Sequence, residues 1–280
     1  MRIVHLKSEL TSIINSLKAS NKKIGFVPTM GALHEGHRSL VAKSVAENDV
    51  CVVSIFVNPT QFNNASDLEK YPRTLERDAK MLELAGCEII FAPEATEVYD
   101  PAEIQTQFDF DFGGLDKVME GKFRPGHFNG VVQIVSKLFD IVQPDKAYFG
   151  EKDFQQLAII HRMVKLMNYS VEIIDCPIVR ETSGLAMSSR NERLTTEQRK
   201  KATEISKVLF ESRNFVAQFS PAALTRWVVE RINSVEGLEV EYYEIVNSES
   251  LQAVTEWDGS SVGCIAVFCG EVRLIDNIRY

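Results

Sequence analysis

The chain has 280 residues, a formal net charge of −8 at pH 7, 45% hydrophobic residues and 25% charged residues. That length buries a sizeable core in one large domain or two modest ones, and the composition is that of a soluble globular enzyme. The acidic balance excludes wholesale coating of nucleic acid but leaves room for a local basic pocket, and no apolar run approaches the roughly 18–20 residues that span a bilayer.

In chain order, the stretch from Met1 to Lys7 lacks the apolar core and small-residue cleavage site of a signal peptide, so a cytoplasmic protein is expected. Residues 24–27 read as a short buried strand, with Pro28 forcing a turn after it. Residues 33–46 carry apolar side chains at helical spacing. Residues 50–57 are apolar and valine-rich, interrupted only by Ser54, the mark of a parallel strand covered on both faces. A helix over 73–85 stops at Gly86, and residues 88–91 make the next strand. Helices over 129–142 and 154–167 then alternate with strands over 146–149 and 171–174. This β-α-β-α order predicts an α/β fold built on a doubly wound parallel sheet.

The texture changes after Pro177. Helices over 196–218 and 221–235 precede strands over 239–246, 262–268 and 273–275. The change predicts a smaller C-terminal α+β domain over 177–280, beside a first domain over 1–176. Such a cap would close over the carboxyl ends of the sheet strands, where ligands of open α/β sheets lie. The cysteines Cys51, Cys87, Cys176, Cys264 and Cys269 include no CxxC pair, and they read as buried, reduced thiols.

Several strands run into polar or glycine-bearing turns. The first, Pro28-Thr29-Met30-Gly31-Ala32-Leu33-His34-Glu35-Gly36-His37, joins a strand to a helix start, where backbone N–H groups and the helix dipole favour phosphate. Gly31 and Gly36 permit close backbone approach. His34 and His37 can both donate to one phosphate and stabilise charge as it develops. A zinc-protease HExxH is excluded, because it needs two residues between the glutamate and the second histidine. No GxGxxG follows the strand, and two histidines on an exposed helix start remain the plainer alternative.

In the second turn, Phe56-Val57-Asn58-Pro59-Thr60-Gln61-Phe62, Asn58 and Gln61 offer neutral groups suited to hydroxyl and carboxylate recognition, or simply make a turn. The third segment runs from Gly121 to Gly130; there Arg124 and His127 could bind an anion, or Lys122 and Arg124 are solvated charges. The fourth is Gly150-Glu151-Lys152-Asp153. Lys152 is a mobile point charge able to follow phosphate, while Asp153 and Gln156 could orient a hydroxyl, or Asp153 could cap a helix. The fifth, Met187-Ser188-Ser189-Arg190-Asn191, is either a compact triphosphate clamp or a turn before the next helix. No Ser-His-Asp or Cys-His set, glycosidase carboxylate pair or Walker A loop accompanies these segments. A site of His, Lys, Arg and Ser without an enzyme nucleophile suits nucleotidyl transfer, in which a substrate carboxylate attacks the α-phosphate.

In this order, the stretches 28–37, 56–62, 124–131, 149–157 and 184–191 resemble the pantothenate synthetase family. That family belongs to the HxGH nucleotidyltransferases, a group that includes the class I aminoacyl-tRNA synthetases. The resemblance implies a Rossmann-like domain that condenses pantoate with β-alanine through a pantoyl-adenylate, consuming ATP and releasing pyrophosphate and AMP. It further implies Mg2+, a cytoplasmic homodimer, and no nucleic-acid or membrane partner. By the same likeness the ATP site would be lined by Met30, Gly31, Ala32, Leu33, His34, Glu35, Gly36 and His37. Gly150, Glu151, Lys152, Asp153, Val179, Met187, Ser188, Ser189 and Arg190 would complete it. His37 would donate a proton, His34 and Lys152 would stabilise developing negative charge, and Arg190 would complete the catalytic set. Gln61 and Gln156 would hold pantoate, and Gln61 would also meet β-alanine. Asn58, Arg124 and His127 would be secondary contacts, and Asp78 would help place magnesium through water. Thr182, Ser183 and His161 depart from the family pattern outside this set.

Two other readings share the segments. One is an adenylyltransferase of the same fold acting on a phosphate acceptor, and the other is a nucleotide-binding module without catalysis. The paired glutamines and the Ser-Ser-Arg stretch favour the ligase over the first. Intact His34, His37, Lys152 and Arg190 speak against the second.

Overall fold

Six parallel strands form the larger sheet of the computed structural model, which describes residues 1–61, 68–69, 71–100, 102–103 and 108–280. They are β1 (Arg2–Val4), β2 (Ile24–Thr29), β3 (Val50–Ile55), β4 (Ile89–Phe91), β5 (Lys146–Gly150) and β6 (Glu172–Cys176), in spatial order β1-β4-β3-β2-β5-β6. Phe62, at the end of the second sequence segment, lies outside the described residues. From β2 the chain moves outward through β3 and β4, then returns to place β5 and β6 on the other side. The reversal puts the topological switch point between β2 and β5, the position where open α/β sheets bind ligands.

The helices are α1 (Lys7–Ala19), α2 (Glu35–Glu47), α3 (Leu75–Leu84), the short α4 (Ala95–Val98) and α5 (Met119–Phe123), α6 (His127–Val142), α7 (Phe154–Leu166), α8 (Thr196–Ser212) and α9 (Pro221–Asn233). Alternate residues of the central strands serve opposite faces. Val27, Cys51, Val53 and Ile90 pack with Leu40 and Val41 of α2 and Leu82 of α3. Phe26 instead meets Phe139 of α6 edge-on, with centroids 6.3 Å apart. Burial on both faces explains the apolar run of β3, interrupted only by Ser54.

Several elements differ from expectation. β2 continues through Pro28 to Thr29 instead of turning there. Its pairing with β5 stops at Phe26 while its pairing with β3 runs on to Thr29, so near Pro28 the strand has a ladder on one side only and the missing N–H is tolerated. The following helix starts at Glu35 rather than Leu33, because His34 is its extended N-cap. β1 and α1 have no counterpart in the sequence reading: β1 is a three-residue edge strand, and α1 buries only Leu10 and Ile14.

The chain divides into two compact units: Met1–Asp116 with Gly121–Gly150 and Ile159–Cys176, and Lys117–Glu120 with Glu151–Ala158 and Pro177–Tyr280. The second contains an antiparallel sheet of β7 (Leu238–Asn247), β8 (Ser261–Cys269) and β9 (Val272–Arg279) in that order. Helices α8 and α9 cover it through Ile205, Leu209, Leu224 and Val228 against Ile265, Val267 and Leu274. The architecture is thus the predicted doubly wound sheet with a smaller α+β part. All five cysteines are buried and none forms a disulfide. Among the described residues no helix is long and apolar enough to cross a membrane.

Candidate active site

A buried carboxylate shapes the turn after β2. Gly31 and Ala32 have φ of 83° and 50°, so two consecutive residues occupy the left-handed region, which costs the alanine about 1 kcal/mol. The turn aims two N–H groups at Asp78 on α3: Ala32 N donates to Oδ2 and Leu33 N to Oδ1, each at 2.9 Å. Thr74 Oγ1 adds a third donor to Oδ2 at 3.1 Å, and Asp78 is 1% exposed. Both oxygens therefore serve the loop. Among the described residues no three His, Cys, Asp or Glu side chains group to hold a metal. The carboxylate thereby braces the Met30–Leu33 backbone.

His34 and His37 cap α2 reciprocally. Gly36 N donates to His34 Nδ1 at 3.1 Å, His34 N donates to His37 Nδ1 at 3.3 Å, and the rings lie 4.1 Å apart. A ring nitrogen that accepts an N–H carries no proton, so each neutral ring holds its proton on Nε2. The local backbone thereby selects one tautomer for both histidines at the positive end of the helix dipole. Glu35, on the same turn, pairs with Arg38 at 2.6 Å.

Asn58 precedes and Gln61 ends a single turn of 3₁₀ helix, and they are 1% and 9% exposed. Asn58 Nδ2 donates to Gly130 O at 3.0 Å and to Gln61 Oε1 at 3.3 Å. Tyr99 OH donates to Asn58 Oδ1 at 2.8 Å, which fixes the orientation of that amide. With Oε1 so occupied, Gln61 Nε2 points to Met30 Sδ at 2.6 Å, bringing the second segment against the first. His127, buried at the start of α6, donates from Nδ1 to Gln61 O at 2.9 Å. Arg124 is half-buried, and its carbonyl accepts from His127 N at 3.1 Å. The sequence reading misses Tyr99, because only folding brings it, 41 residues away, to Asn58.

Burial pushes the Tyr99 hydroxyl from an ordinary 10 up to about 12. Its bond to Asn58 is therefore fully present below pH 10 and is lost as pH rises through about 12. Urea unfolding across that window is expected to show a falling midpoint that Tyr99→Phe partly flattens. An identical fall in the variant would assign the titration to other groups.

The remaining candidates belong to the second unit, except Gly150, which ends β5. Glu151, Lys152 and Asp153 form one 3₁₀ turn ahead of α7, and Gln156 lies half-buried on the helix. Val179 and Met187 flank a tight turn closed by an isolated bridge: Met187 N donates to Val179 O at 3.0 Å, beside the Arg180–Ala186 bridge. Ser188 Oγ accepts Arg190 N at 3.2 Å and caps the short turn Ser189–Arg193, leaving the Arg190 side chain exposed. Thr182 and Ser183 occupy the exposed tip of that turn. In the first unit, exposed His161 pairs with Asp175 at 2.7 Å.

A family model described as pantoate–β-alanine ligase matches residues 2–279. The chain is 56% identical to pantothenate synthetase of Bacteroides thetaiotaomicron over 282 residues, covering 100% of this chain and 99% of that one. The crystal structure of pantothenate synthetase from Thermus thermophilus superposes with a TM-score of 0.92 at 42% identity, covering 100% and 99% of the two chains. The pantoate–β-alanine ligase of Francisella tularensis, crystallised with β-γ ATP and β-alanine, matches with a TM-score of 0.83 at 37% identity over 100% and 97%. Matched along its whole length in sequence and in fold, the chain belongs to the pantoate–β-alanine ligase family.

Proposed function

We propose that the chain joins pantoate to β-alanine in two steps at the expense of ATP. A pantoate carboxylate oxygen attacks the α-phosphorus, the bond to the β-phosphate oxygen breaks, and pyrophosphate leaves. The β-alanine amine then attacks the acyl carbon, AMP departs with the former carboxylate oxygen, and the amine loses a proton. The observation that carries this reading is the His34–His37 pair, whose capping bonds commit both rings to Nε2–H donors beside a helix N-terminus. Donors fixed before the reaction suit charge that develops on a phosphate in flight.

Within this reading Met30 to His37, Gly150 to Asp153, Val179 and Met187 to Arg190 bind the nucleotide, and Lys152 and Arg190 follow the phosphates. Gln61 and Gln156 hold pantoate, and Gln61 also meets β-alanine. Asn58 and His127 act by orienting Gln61, and Arg124 is a secondary anion contact. The Francisella complex, with its nucleotide and β-alanine, supports this choice of ligands. Magnesium would arrive on the triphosphate and offset the charge of the leaving pyrophosphate. A cytoplasmic homodimer belongs to the same reading.

The test is a coupled assay with pantoate, β-alanine and magnesium-ATP. AMP and pyrophosphate should form together and only when pantoate is present. Formation of ADP, or of AMP without pantoate, would sink the proposal.

A further inference from the structure

Strand β9 holds two of the proposed nucleotide-binding segments from its two faces. Successive side chains of a strand alternate. Leu274 and Ile278 enter the apolar core with α8 and α9, and Asp276 shares their side. Arg273, Asn277 and Arg279 share the opposite side and form a polar row. Arg273 meets Glu120 at 2.6 and 3.0 Å and Glu241 at 2.6 Å. Arg279 pairs with Glu151 at 2.6 Å and lies 5.3 Å over the Phe154 ring.

Between them sits Asn277, 6% exposed. Its Nδ2 donates to Glu151 O at 2.8 Å and to Lys152 O at 3.1 Å. Those carbonyls belong to the peptide groups on either side of the Lys152 Cα, so one amide pins the root of that side chain. On the core side Asp276, 5% exposed, takes Arg180 through both terminal nitrogens at 2.6 and 2.9 Å. Arg180 follows Val179, whose carbonyl holds Met187. One dipeptide therefore grips the turn that carries Lys152 and the bridged turn from which Ser188 to Arg190 emerge.

We propose that Asn277, backed by Asp276, is a positioning residue for the adenylation step. It acts through Lys152, so the assignment rests on the function proposed above. A lysine ammonium swings on a four-carbon stem, and its reach depends on where the Cα is fixed. The neutral amide of Asn277 donates to both carbonyls at any pH, which a carboxylate of the same shape cannot do. Arg279 and Phe154 then keep the turn against the sheet.

The test is Asn277→Asp in the full chain, which keeps the shape and replaces the donor by an acceptor facing two carbonyls. Pyrophosphate release should slow roughly 10- to 100-fold, the range for a catalytic group displaced by about an ångström. KM for pantoate should stay unchanged, and adding Lys152→Ala should give a double variant no slower than Lys152→Ala alone. Ile275→Ala, on the same strand, controls for loss of stability and should keep the parent kcat. Equal losses of kcat in Ile275→Ala and Asn277→Asp would overturn the inference. So would parental kcat in Asn277→Asp when Lys152→Ala is slow. A full rate in Lys152→Ala would instead overturn the function reading beneath it. Should Asn277→Asp fail to fold, Asn277→Gln takes its place, with the same donors on a longer arm and the same expected split.

Discussion

His37→Ala is expected to slow pyrophosphate release by about 10²–10³-fold while the protein stays folded, the usual cost of losing one preorganised donor to developing charge. The fold should survive because the bond that His37 accepts from the backbone, from His34 N at 3.3 Å, is a helix cap. Losing a cap costs about 1 kcal/mol. The two roles can be separated. Glutamine is the ordinary residue at this position of a capping box, so His37→Gln should restore the cap without restoring the imidazole donor. Single-turnover adenylation, read beside thermal unfolding, should show both variants slow and only the alanine variant less stable. Parental adenylation in His37→Gln would confine the residue to capping.

The second large effect is expected at Gly130. A Cβ there would stand 2.5 Å from Thr60 O and 2.6 Å from both Gln61 Cα and Gln61 N. Every one of those atoms is backbone, so no side chain can swing aside. Gly130→Ala must push α6 away from the 3₁₀ turn, and overpacking of this kind costs about 1–3 kcal/mol or more. The shift also breaks the 3.0 Å bond from Asn58 to Gly130 O, and with it the support for the Gln61 amide. Urea unfolding should report the loss of stability, and KM for pantoate should rise by about tenfold or more. A variant with parental stability and parental KM would show that the helix and the turn can separate without disturbing Gln61.

Both predictions concern neighbours that the sequence treats very differently. His34 and His37 lie three residues apart on a strand-to-helix turn, so their candidacy to act together on one ligand is legible from spacing alone. What spacing cannot show is the tautomer, which depends on which N–H each ring accepts. Gly130 looks like any glycine in a basic loop until its contact with Gln61, far upstream, is known. Asp78 gains a role on folding for the same reason: its carboxylate accepts from backbone groups 45 and 46 residues away. Tyr99 and Asn277 carry no motif at all, because a positioning residue is chosen by what it touches rather than by its own chemistry.

The sequence by itself determined the sheet, since strand-length apolar runs, bounded by glycine and polar turns and alternating with helical patterns, make buried parallel strands. It also determined the family, through long specific stretches that lie within single turns. Local patterns such as these survive in one dimension. Only the tertiary structure decided which groups hold those turns in place: Asp78 beneath Gly31 and Ala32, Tyr99 behind Asn58, and Asn277 behind Lys152. Each is a hydrogen bond between residues distant in the chain. Its partner is set by the packing of whole elements, which no local pattern records.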